Sequence, residues 1–75
     1  MGETLPRIEK RGPSWVVHTT CGVYCIPKNV KIRSIAYGFD SIIVTWEGEN
    51  SIYVRHGMRS RMREELYELL KRTLL

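Results

Sequence analysis

The residues best suited to chemistry lie between the last predicted strand and the one strong helical pattern. Tyr53-Val54-Arg55-His56-Gly57-Met58-Arg59-Ser60-Arg61-Met62-Arg63 holds four arginines and a histidine in eleven residues, with no acid among them. A guanidinium presents a planar fork of donors that matches phosphate and carboxylate geometry. Three of these arginines fall at or beside a helix N-terminus, where the macrodipole is already positive and acids are the stabilising choice. The arrangement costs about a few tenths of a kcal/mol, so it points to a ligand of opposite charge. Tyr53, two residues before Arg55 on the same strand, adds a ring able to stack on a base, a combination used by binders of single strands and RNA. The predicted set is Tyr53, Arg55, Arg59, Arg61 and Arg63, with auxiliary contacts from Lys28, Lys31 and Arg33. For about four neutralised phosphates, affinity would fall with salt at a log–log slope of about −3 to −4. No helix-turn-helix or other sequence-reading pattern is present, so backbone or shape would be recognised.

The bland alternative is a solvated surface at a strand-to-helix junction. A competing function is protein binding, in which the arginine knuckle, the polar sheet face or an edge strand docks on an acidic surface of a larger partner. Arg, Tyr and Met are enriched at interface hot spots, and Arg55, Arg59, Tyr53, Met58 and Met62 lie close together. That reading describes a small inhibitor or adaptor of the kind a virus or phage would encode. Nucleic acid is placed ahead of protein.

His18, Cys21, Cys25 and His56 form a second constellation, two ligands of each type for a tetrahedral metal. Residues four apart in an extended strand lie ~13 Å apart, too far for one metal or for an intrastrand disulfide, so no metal site is expected. The two cysteines read as small, half-buried apolar groups in a reducing compartment. Catalysis fails on inventory, because the acids lie at turns, in the N-terminal stretch or beside helical arginines. Gly22, Gly38, Gly48 and Gly57 are isolated at bends and build no phosphate cradle. The expectation is a binding protein, not an enzyme, with no cofactor.

Those groups must be positioned by a chain of 75 residues, enough for one modest core that buries only about 60–65% of the unfolded surface. Apolar runs stop at three or four residues, as in Ile42-Ile43-Val44, far short of the ~20 that span a bilayer. Arg7, Glu9, Lys10 and Arg11 interrupt any leader-like core, so an intracellular, cytoplasmic protein without a membrane role is expected. The net charge of +4 is unevenly spread. Residues 1–34 are basic, 35–50 acidic through Asp40, Glu47 and Glu49, 51–63 basic again, and the helix body slightly acidic, which suits a phosphate or a polar interface.

Residues 1–13 read as a flexible basic arm or docked edge segment, and 14–75 as a single α+β domain. From Ser14 to Ile26 the residues are strand formers, with Cys21-Gly22 as turn or bulge. Further strands are expected over Val30–Tyr37, Ile42–Glu47 and Ser51–His56. Pairing Glu47 with Ser51 sets Trp46 opposite Ile52 and Val44 opposite Val54 on one apolar face. A four-residue turn adds Ile35 and Tyr37 to that face and leaves Ser34, Ala36, Ile43, Thr45, Tyr53 and Arg55 on the other. A helix capped by Ser60 carries Met62, Leu66, Leu69, Leu70 and Leu74 as one apolar stripe. Tyr67 and Leu75 extend beyond it, leaving room for a homodimer through the helix or an edge strand. The predicted fold is an antiparallel β-meander of four to five strands packed against one C-terminal amphipathic helix. The element order is architecturally similar to small families in which one helix follows a meander, including the single-stranded-DNA-binding transcriptional coactivator type. It carries no motif diagnostic of one.

Overall fold

The computed structural model describes residues 5–58 and 60–75, and of Ser60 the backbone alone. The chain runs β1 (Arg7–Arg11), β2 (Ser14–Thr19), β3 (Gly22–Pro27), β4 (Ile32–Tyr37), β5 (Ser41–Trp46), β6 (Asn50–Arg55) and α1 (Ser60–Leu74). All strand pairs are antiparallel. They form two three-stranded sheets in meander order, β1-β2-β3 and β4-β5-β6. The α+β class and the C-terminal helix agree with the sequence expectation, but there are six strands in two sheets instead of four or five in one.

Two local causes raise the count. The Ser14–Ile26 stretch folds back at Thr20-Cys21, with Thr19 opposite Gly22. The segment read as a flexible arm or docked edge segment contains β1, an edge strand whose Ile8 pairs with Val17 and packs against the core. Its neighbours Arg7 and Glu9 fall on the opposite face, the period-two alternation of a half-buried strand.

Val17 and Ile26 from the first sheet, Ile42, Val44 and Val54 from the second, and Leu66 and Leu70 from α1 make the buried centre. Helix α1 packs on β4, β5 and β1, while β6 meets β2 and β3. The expected stripe holds: Leu66 and Leu70 are fully buried, and Met62, Leu69 and Leu74 are half-buried at its margins. Each fully buried Val, Leu or Ile contributes about 1.5–3 kcal/mol by leaving water. Tyr67, assigned from sequence to a second contact surface, stacks instead on Tyr37 with ring centroids 4.5 Å apart. Among the described residues, no helix is long and apolar enough to cross a membrane.

The β4–β5 pairing follows the expected four-residue turn, with Tyr37 opposite Ile42 and Ile35 opposite Val44. The β5–β6 register differs by two residues: Trp46 faces Asn50, Val44 faces Ile52 and Ile42 faces Val54. The three-residue loop is Glu47-Gly48-Glu49, because Gly48 and Glu49 both take positive φ (82° and 61°) and the Asn50 side-chain amide donates to the Glu47 carbonyl at 2.8 Å. A shift of two preserves which face each residue takes, so the apolar and polar sides of the sheet remain as expected.

Candidate nucleic-acid interface

Strand alternation directs Ile42, Val44, Ile52 and Val54 into the core and presents Ala36, Ile43 and Tyr53 in one row on the outer side of the second sheet. Ser34, Thr45 and Ser51 form the next row. A bulge between Ile32 and Ser34 lets Ile32 and Ile35 both pack inward, which turns Arg33 and Ser34 out together. Tyr53 is 59% exposed and Phe39, in the β4–β5 turn, 83%. The outer side thus has aromatic surface, three hydroxyls, arginines at two ends, and no acid on its strands.

Arg55 closes one end of this face. Its Nε and Nη2 donate to Asp40 Oδ2 at 3.2 and 2.9 Å, and this bond, then the carboxylate charge, holds the guanidinium above its ordinary pKa. The contact follows from pairing: Ser41 lies opposite Arg55, which brings Asp40 beside it. The eleven-residue run 53–63 holds no acid, and the partner comes from 15 residues away in the chain. Enough of the guanidinium remains in solvent for a second acceptor, since the side chain is 63% exposed.

Arg61 and Arg63 are each held by other groups. Arg61 pairs with Glu65 one turn along the helix at 3.5 Å, as the spacing predicts. Arg63 lies over the Tyr37 ring, 4.9 Å from its centroid, with its Nε buried and unpartnered. Tyr37 in turn donates to Glu64 at 3.1 Å, and burial, reinforced by that bond, raises its pKa. Arg59 and the Ser60 cap lie outside the described residues. The helix has no acid in its first turn, as expected.

The auxiliary cations occupy the opposite end of the strands. Lys28 follows β3 and Lys31 precedes β4, one six-residue strand length or about 20 Å from the Arg55 end. Lys28 lies over Trp15, 5.8 Å from the ring centroid, and its N–H donates to the Pro13 carbonyl at 3.0 Å. The Lys31 N–H donates to Glu47 at 3.4 Å while its carbonyl accepts from the Glu47 N–H at 3.1 Å, leaving the exposed ammonium free of an acid partner among the described residues. Sequence reasoning missed Lys10 and Trp15, which register brings opposite each other. Their alternation signal was present but masked by reading residues 1–13 as an arm.

His18, Cys21, Cys25 and His56 are dispersed. His18 shares the outer side of the first sheet with Glu9, its Nε2 2.6 Å from the Glu9 carboxylate. Cys25 is exposed opposite Val16, Cys21 lies in the β2–β3 turn, and both are free. His56 is buried, with both ring nitrogens unpartnered. Among the described residues, no three His, Cys, Asp or Glu side chains converge as a metal site.

Comparison of the chain with family models, with curated proteins and with solved structures finds no match.

Proposed function

We propose that the protein is a non-catalytic binder of single-stranded nucleic acid, and that the strand lies across the outer side of the β4-β5-β6 sheet. The observation that carries this reading is Tyr53, exposed midway along the edge strand β6, on a face whose strands bear Arg33 and Arg55 and no acid. Bases stack on Tyr53 and Phe39, and Arg33, Arg55 and Lys31 hold phosphates at the two ends. Stacking tolerates any base, and guanidinium contacts read the backbone, so affinity without strong sequence preference is expected. Compared with the arginine knuckle expected from sequence, the ligand class is the same and the surface has moved from the junction onto the sheet.

The test is fluorescence anisotropy with labelled single-stranded DNA and RNA of about 12 nucleotides, a length within the site sizes of sheet-based binders. Binding should fall with salt at a slope of about −2, three phosphates at about 0.7 each. Tyr53→Ala should weaken it roughly 5- to 150-fold, the range for loss of one stacked base. No binding at low salt, or full binding by Tyr53→Ala, overturns the proposal. A complex from lysate that survives nuclease and is lost in Tyr53→Ala would instead assign the same face to a protein partner.

A further inference from the structure

We infer that Lys10 and Lys28, side by side against Trp15, form a clamp for a phosphate group. The inference rests on the nucleic-acid reading only for the source of that phosphate. Strand register places Lys10 opposite Trp15 and Trp15 opposite Ile26, all on the same side of the first sheet. Two residues beyond Ile26, Lys28 returns to that side and is fixed by its N–H bond to Pro13, the residue before β2.

The Lys28 ammonium then sits over the Trp15 ring while Lys10 approaches along the same edge. Lys28 is held below its ordinary pKa, first by desolvation and then by the charge of Lys10. Neither pairs with an acid among the described residues. Glu9, next to Lys10 in sequence, points to the opposite side, where it serves His18 and Arg11.

Two ammonium groups on the same side of the sheet beside Trp15 repel, and each has donors to spare. An anion with several acceptor oxygens between them removes the repulsion and accepts from both, and phosphate supplies those oxygens with one or two negative charges. A lone carboxylate could reach both lysines, but lysine serves phosphate as a point charge without the bidentate plane carboxylates favour. The four-residue connection 28–31 carries Lys28 and Lys31 and leads into β4, which bears Arg33, so the clamp and the sheet face are joined by a basic stretch of chain.

The experiment follows the lysine side-chain CH2 and Trp indole resonances by NMR during titration with inorganic phosphate. Lys10, Lys28 and Trp15 should shift together and saturate, Lys71 should not, and Lys10→Ala should weaken the Lys28 response about tenfold, the scale of one charged hydrogen bond. Shifts at Lys10 and Lys28 no larger than at Lys71, or a Lys28 response untouched by Lys10→Ala, overturn the clamp. The oligonucleotide arm separates the sources. If Lys28→Ala weakens oligonucleotide binding and flattens its salt slope by about 0.7, the phosphate belongs to the strand. If oligonucleotide binding is unchanged or absent while inorganic phosphate still saturates, the clamp stands for a free phosphate, and its fate is decided apart from that of the sheet face.

Discussion

Arg55, at the end of β6, donates twice to one oxygen of Asp40 in the turn that joins β4 to β5. The pair neutralises the arginine nearest Tyr53 and fixes its direction, so it both preorganises and restrains the cation. Removing the carboxylate should release it: Asp40→Ala leaves intact the backbone carbonyl that accepts from the His56 N–H. The expected outcome in anisotropy titrations is several-fold tighter oligonucleotide binding, with the salt slope still about −2 because Arg55 is already one of the three phosphate contacts. Unchanged affinity would mean that Arg55 takes no part in binding.

His56 lies 3% exposed with no partner for either ring nitrogen. In any neutral tautomer one nitrogen is a donor and the other an acceptor, so the imidazole loses water at both and gains nothing in return. An unsatisfied buried polar group costs about 1–3 kcal/mol. His56→Leu, of similar size and without polar atoms, should therefore raise the urea midpoint without changing the slope of the transition. A lower midpoint would show that the imidazole serves the fold in a way its contacts do not reveal.

Legibility from sequence tracked the range of the interactions. The helix stripe was readable because Leu66 and Leu70 repeat at a local period that only one secondary structure satisfies. Which residues of β5 and β6 face inward was readable for the same reason, whereas the pairing itself turned on whether Glu49 or Asn50 took the positive φ, and Glu49 did. The sheet face was half legible: Tyr53 and Arg55 stood out by composition, while Arg33 joins them only because of a bulge. Asp40 beside Arg55, and Lys10 beside Lys28, bring together residues 15 and 18 apart in the chain. Such contacts exist only after strands pair, and local pattern carries no trace of them.

The helix depends on the same few apolar groups that close the core. Leu66 and Leu70 are fully buried against strands from both sheets. Truncation of either to Ala should cost about 2–5 kcal/mol, the transfer term plus the cavity left behind. For a domain this small that is a large part of the whole stability. Chemical denaturation of Leu70→Ala should show a largely unfolded protein at room temperature, and Leu69→Ala, at the half-buried margin, a much smaller loss. Equal losses at the two positions would contradict the placement of the helix.

Glu9 ties together the outer side of the first sheet, with His18 at 2.6 Å, Arg11 at 3.4 Å and Arg7 at 3.9 Å. The hydrogen bond to His18 is the largest influence and holds its pKa below the ordinary 4.5 against desolvation, the next largest, with the Arg11 and Arg7 charges adding to the lowering. A carboxyl whose pKa is depressed by folding stabilises the folded state above its unfolded value and loses that contribution as pH falls through the folded one. Thermal melts from pH 7 to pH 3 should therefore find the wild type more stable than Glu9→Gln near neutrality. The gap should begin to close as pH falls through 4.5 and vanish below the depressed value. Salt should narrow the gap near neutrality by screening the exposed arginines. A difference that stays constant down to pH 3 would assign the effect of the substitution to packing and remove the charge from the explanation.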